Sequence, residues 1–377
     1  MIYLILFFIT SILFYAAQQL KDTSKVAFYV LSYLAIFLLA LVAGCRDNTI
    51  GYDIRVYGEY TFNSASQSTS PLTDAFKDEW VEPFFYILNY IASLFGGLGT
   101  ALFLIMLVQT LFAFYGMKFY MDRAPLWMLM LSYNILLYAT TLSLMRQGIA
   151  ITFLIFSYQY VEKRKFSKLL LMAILGFFWH KSCAIAFVIL FGIYFIYGRS
   201  EKAQKKLLFI TISSCILTFG SLSIVLQSII DILPIMSRYS AYADSAGTKG
   251  SGFRPDLNNT HIVLQLLIIG LALYLYLNKI STQRQFYILV IIILMNLSSQ
   301  FLGLYTRFAT RFAYYFLIVE IPLLFEMLNS DKIRKSTQVV LSNFVLLCLC
   351  FMFYWIVLRP GLTCYPYILR SYNITFY

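Results

Sequence analysis

Apolar stretches of about 17 to 25 residues recur along the 377-residue chain, separated by short turns that carry many of its lysines and arginines. Each such stretch is long enough to cross a hydrocarbon core of about 30 Å. The pattern places spans at 2–19, 26–43, 100–116, 125–141, 148–160, 169–179, 183–197, 207–230, 262–277, 286–304, 312–328 and 339–358, about twelve crossings, of which two in the middle, 148–160 and 169–179, are short. The stretch 169–179 runs into His180 without a polar loop, which predicts a bent or broken helix lining a cavity. The segment 82–97, EPFFYILNYIASLFGG, is marginal in length and opens on Glu82-Pro83, with Pro83 suited to a first helical turn. If it crossed, the basic loops at Lys21/Lys25 and Lys118/Arg123 would lie on opposite sides of the membrane. A re-entrant or interfacial helix puts both on the basic, cytoplasmic side with the later loops, and that alternative is the expected one. The expected fold is therefore all-α, a single polytopic membrane domain over 1–377 with outer loops at 44–81 and 231–260. The run 2–17 has neither a basic leader nor a small-residue cleavage site, so it is expected to be a spanning helix and not a removed signal.

Composition sharpens this picture. With 60% apolar and only 12% charged residues, about half the charged share of a soluble domain, the chain leaves no soluble domain of useful size. The net charge of +12 would suggest nucleic acid in a soluble protein, but basic residues in short loops between spans follow the positive-inside rule, and no nucleic-acid partner is expected. Six cysteines without metal-ligand spacing, two histidines and no HExxH pattern predict no metal and no cofactor.

The chemistry collects on the expected outer face. Arg146 and His180 sit near the two ends of a hydrophobic hairpin whose turn is the basic cluster 162–168, so both return to one membrane surface. A charged side chain at bilayer depth costs about 2.5 to 3.5 kcal/mol, so such residues tend to face a protein interior or a watery cavity. Taken singly, each is equally well an interfacial residue; taken together they suggest one wall of a site. Arg307 and Arg311, four apart on one helix, share a face. Arginines clustered in this way suit a diphosphate, since each guanidinium offers paired planar donors and stays charged. His180, Asp53 or Glu82 could take a proton from an attacking hydroxyl, and the residues alone do not choose among them. Tyr57, Tyr239, Tyr242 and Tyr367 in outer segments offer flat faces to sugars, or serve as an interfacial belt. The outer loop 231–260, Gly-rich near its end, is long enough for a lid or a plain connector.

These residues resemble a family. Arg46-Asp47-Asn48-Thr49-Ile50-Gly51-Tyr52-Asp53 with Tyr57, then Glu82-Pro83-Phe84, then Leu144-Met145-Arg146-Gln147-Gly148, His180-Lys181-Ser182, Arg311-Phe312-Ala313-Tyr314-Tyr315-Phe316 and Pro366-Tyr367 resemble, in order and spacing, the motifs of the EpsG-like, Wzy-type polysaccharide polymerases. Tyr52 departs from the small or hydroxyl residue expected there. The resemblance implies a bacterial inner-membrane glycosyltransferase that joins oligosaccharide repeat units carried on undecaprenyl diphosphate, with its active site facing the periplasm or cell exterior. In that reading Arg46, Arg146, Arg307 and Arg311 hold the diphosphate and His180, Glu82 or Asp53 is the base. The partners implied are the lipid-linked oligosaccharide and membrane lipids, with a chain-length regulator protein as a candidate. A lipid-linked oligosaccharide flippase would share the composition, but no internal repeat is evident; an acyltransferase acting on surface sugars would share the histidine and arginines.

Overall fold

In the computed structural model the apolar runs fold as helices. Residues 2–78, 80–206, 208–212, 259–302, 310–357, 367–370 and 374–376 are described, and they form two compact units, Met1–Tyr194 with Lys335–Tyr377, and Phe195–Arg334. The first unit holds α1 (Ile2–Leu20), α2 (Lys25–Cys45), α3 (Glu59–Ser66), α4 (Pro71–Lys77), α5 (Pro83–Ser93), α6 (Leu98–Lys118), α7 (Leu126–Tyr133), α8 (Ala139–Ser143), α9 (Met145–Glu162), α10 (Phe166–Trp179) and most of α11 (Cys183–Tyr197). The second holds α12 (Asn259–Leu277), α13 (Gln283–Leu302) and α14 (Ala313–Leu328), while α15 (Lys335–Val357) returns to the first.

Among the described residues, seven helical stretches are long and apolar enough to cross a membrane: Ile2–Leu20, Lys25–Cys45, Leu98–Lys118, Leu126–Ser143, Thr260–Leu277, Gln283–Phe301 and Lys335–Tyr354. The protein is therefore a helical membrane protein, with seven full-length spans among the described residues against the about twelve expected over the whole chain. Helices α10 and α11 have 14 and 15 residues, which at 1.5 Å per residue reach only about 21 to 23 Å. Helix α9 carries Arg146, Gln147, Gln159 and Glu162 and is too polar to qualify. Most of the expected span 207–230 lies outside the described residues.

Polar contacts between the loops show which helix ends lie together. At one end Lys21 pairs with Asp122 at 2.8 Å, Arg123 pairs with Glu162 at 2.9 Å, and Lys118 Nζ donates to the Tyr29 hydroxyl at 2.5 Å. The loops after α1, α6 and α9 thus share one end of the first unit. The opposite end carries the long segment 44–97. At its base α2 and α6 approach closely: a Cβ on Gly44 would lie 2.8 Å from Phe103 Cβ and 3.0 Å from the Gly99 carbonyl. The end of α2 therefore adjoins the start of α6. Helix α5 between them, with 11 residues and a length of about 16 Å, is too short to cross a hydrocarbon core of about 30 Å.

The chain is not purely helical. Strands β1 (Tyr367–Leu369) and β2 (Ile374–Phe376) pair antiparallel, with Tyr367 opposite Phe376. This hairpin is docked on the end of α2 by Asp47 N–H to Ile368 O at 2.8 Å and Arg370 N–H to Cys45 O at 3.1 Å. The Tyr367 hydroxyl donates to Val42 O at 2.8 Å. Its backbone partners at 45–47 lie more than three hundred residues upstream, so no local pattern announces it.

Candidate active site

The motif at 46–53 is first of all a scaffold. Arg46 follows the last turn of α2 and is 1% exposed. Its Nη1 donates to Ala43 O and its Nη2 to Leu142 O, both at 3.1 Å, so one guanidinium caps the carboxyl ends of α2 and α8, where a cation is favoured. Asp47 accepts from the Thr49 N–H at 2.9 Å and from its hydroxyl at 2.8 Å, and the Thr49 N–H, ahead of opposing burial, holds its carboxyl below the usual carboxylate range. Asn48 donates to Glu59 and accepts from Arg370. Gly51 adopts a φ of +92°, and a Cβ there would stand 2.5 Å from Leu142 O. Only glycine suits both conditions.

From this platform the chain enters a π-helical turn, Ile54–Gly58, which brings Asp53 and Tyr57 together. The Tyr57 hydroxyl donates to Asp53 Oδ2 at 2.5 Å. Burial, reinforced by the Asp53 charge, pushes the phenol well up, so Tyr57 stays a donor. The Tyr57 ring lies under Arg146, whose guanidinium carbon is 4.0 Å from the ring centroid, a cation–π arrangement.

Arg146 owes its position to a helix break. Leu144, at φ −96° and ψ 60°, ends α8 and starts α9, and Gln109 from mid-α6 donates to the Met145 carbonyl at 3.0 Å. Arg146 therefore emerges in the first turn of α9. Its Nη1 donates to the Trp80 carbonyl at 2.8 Å and to Glu82 Oε2 at 2.9 Å. Its buried Nε has no acceptor.

Glu82 joins the motifs at Arg146 and His180, which lie 64 and 98 residues further along the chain. It precedes Pro83 at the start of α5 and is 4% exposed. One carboxylate oxygen takes Arg146; the other lies 2.6 Å from His180 Nδ1 and accepts the Lys181 N–H at 3.4 Å. His180 is the extended residue that ends α10, at φ −165°. Burial opposes ionisation of Glu82 and is the largest single influence, but His180 by charge and hydrogen bond, together with Arg146, outweighs it and holds the carboxyl down to about 2. An ionised carboxylate only accepts, so Nδ1 carries a proton, and Nε2 has no partner among the described residues. Phe84 reinforces the junction, its ring centroid 5.2 Å from Trp179 and 5.3 Å from Phe178.

Asp53, Tyr57, Glu82, Arg146 and His180 are thus one connected cluster. Arg46 and Tyr367 belong to the adjoining structural network: Tyr367 is 1% exposed and packs edge-on against Tyr3 at 5.9 Å. Arg311 lies in the second unit, at the turn before α14. Arg307, Tyr239 and Tyr242 lie outside the described residues. Two contributors escaped the sequence reading. Gln109 was signalled by a lone amide inside the apolar run of α6, whereas the Trp80 carbonyl carries no side-chain signal. An apolar groove between α1, α7 and α15, lined by Phe7, Phe8, Trp127 and Phe353, includes none of the charged cluster.

The fold and site define a helical membrane protein with a Glu–His–Arg constellation centred on the buried Glu82 at one end of a helix bundle. The chain belongs to the EpsG family, whose model matches residues 29–369. Membership indicates a polysaccharide polymerase in the broad sense. No curated protein and no solved structure matches the chain.

Proposed function

We propose that the protein polymerises lipid-linked oligosaccharide repeat units at the outer face of the bacterial inner membrane, transferring the growing glycan from undecaprenyl diphosphate to a hydroxyl of the next repeat unit. The observation that carries this reading is Arg146. One nitrogen, Nη1, donates to both the Trp80 carbonyl and Glu82, while Nε, on the other edge of the guanidinium, is buried without an acceptor. That edge is the two-pronged face that matches a phosphate, and a donor kept buried without a partner calls for one.

In the reaction the bond between the anomeric carbon and the diphosphate oxygen breaks while a new bond forms from the acceptor hydroxyl oxygen to that carbon. Arg146 neutralises charge gathering on the departing diphosphate. The hydroxyl proton passes to His180 Nε2, the nitrogen left free by the Nδ1–Glu82 contact. Glu82 is less suited to be the base, because a carboxyl held at about 2 and already engaged by two donors has little affinity for a proton at neutral pH. It acts by fixing the imidazole tautomer and aiming Arg146. Asp53 supports the floor of the site through Tyr57.

Purified protein incubated with its cognate lipid-linked repeat unit, without nucleotide sugar or acyl donor, is expected to give a ladder of longer glycans. The ladder should fall by about 10² to 10⁴ in His180→Ala while lipid-linked substrate still binds. A folded, substrate-binding preparation that yields no product longer than one unit overturns the polymerase reading.

A further inference from the structure

The second unit contains a buried polar chain that the sequence reading did not single out and that the proposed reaction does not use. His261 and Gln265 on α12, Asn296 on α13 and Glu320 on α14 are each at most 1% exposed, and the three helices pack against one another. His261 Nε2 lies 2.9 Å from Asn296 Oδ1; Asn296 Nδ2 donates to Glu320 Oε1 at 2.7 Å; Gln265 Nε2 donates to Glu320 Oε2 at 2.9 Å. Two neutral amides are the only hydrogen-bond partners of the Glu320 carboxyl among the described residues, and no cation pairs with it there. The ionisable side chains on these helices are His261, Tyr274 and Tyr276 on α12, Arg284 and Tyr287 on α13, and Tyr314, Tyr315 and Glu326 on α14 besides Glu320. Arg284 lies over the Tyr197 ring, Glu326 accepts from Gln285, and His261 contacts Asn296, which in turn donates to Glu320.

An ionised carboxylate enclosed by apolar helices needs a counter-charge, and the amides supply none. A proton removes the need. The neutral acid has one oxygen to accept from Asn296 and one O–H that needs an acceptor. The Gln265 carbonyl oxygen is buried without a partner, and a half-turn of that amide exchanges its oxygen and nitrogen in place. The pocket therefore holds the acceptor that a protonated Glu320 requires.

We propose that Glu320, Gln265 and Asn296 form a proton-binding site inside the second unit, which holds the carboxyl as the neutral acid. Glu320→Gln imitates that state, with one accepting oxygen and an N–H donor for the Gln265 oxygen. The folded chain then holds one proton more than the unfolded chain, so stability declines as pH rises.

The test uses the full-length protein in detergent with choline chloride as the salt. The infrared spectrum of wild type minus E320Q in D₂O is expected to contain the carbonyl band of a carboxylic acid at neutral pH. The melting temperature of E320Q should be no lower than that of wild type, and on passing to alkaline pH only wild type should shift downwards. A carboxylate band alone, or an E320Q protein that melts well below wild type at neutral pH, overturns the proposal. Loss of the acid band when sodium replaces choline overturns it too, in favour of an alkali-cation site.

Discussion

Replacing Glu82 by Gln keeps the length of the side chain but removes a negative charge from between the Arg146 guanidinium and the His180 imidazole. Glu82 is 4% exposed, and a carboxyl held at about 2 against an ordinary 4.5 represents about 3 kcal/mol of preference for the ionised form. The amide also has a single accepting oxygen, so it cannot take both His180 Nδ1–H and Arg146 Nη1–H. One donor must turn away, or His180 must move its proton to Nε2, the nitrogen assigned to the reaction. Loss of the orienting carboxylate of a Ser-His-Asp triad lowers turnover by about 10⁴ with the geometry intact, so E82Q is expected to lose about 10³ to 10⁴ in ladder formation. Elution profile and melting temperature in detergent establish that the variant is folded before activity is read. The sign of the pH effect follows from the depressed carboxyl: its stabilisation is complete above about 4.5 and is lost as pH falls toward about 2. Wild type should therefore lose melting temperature over that acid range more steeply than E82Q. Near wild-type turnover in folded E82Q would refute the tautomer argument, and equal acid sensitivity of the two proteins would refute the pairing.

Arg146→Lys keeps the charge but offers no planar fork, so it cannot present paired donors to a phosphate while bonding Trp80 O and Glu82; a loss of at least about 10² in polymerisation is expected, and full activity returns Arg146 to interfacial anchoring. Gly51→Ala forces a left-handed φ on a residue whose Cβ meets Leu142 O, so it should destabilise the first unit by more than about 2 kcal/mol, read as a lowered melting temperature. In a background with the native cysteines replaced, Gln67→Cys should react with a membrane-impermeant thiol reagent in intact spheroplasts and Lys165→Cys should not. The reverse pattern rejects the proposed orientation.

Much of this protein is legible along the chain because the bilayer is an undemanding reader: an apolar run of sufficient length becomes a helix wherever it occurs, since only a helix satisfies its own backbone there. The same logic, with the basic loops counted, anticipates that 82–97 does not cross, and the approach of Gly44 to Gly99 and Phe103 is the arrangement that expectation requires. The sequence also marks Glu82, Arg146 and His180 as costly residues near the ends of apolar runs. It does not determine their pairing. Only tertiary structure brings Glu82 within reach of residues 64 and 98 positions away, because that depends on the break at Leu144, the extended backbone at His180 and the Gln109 bond to Met145, each a consequence of helices packed side by side. The same holds for Arg46, a phosphate ligand by residue type, whose guanidinium caps two helix ends because the folding of α8 places the Leu142 carbonyl there. The short pair α10 and α11, of 14 and 15 residues, by contrast follows the runs 169–179 and 183–197 read along the chain, with the expected break where the backbone turns extended at His180. What a residue can be is written in its type; what it does is set by which partners the fold brings within hydrogen-bond reach.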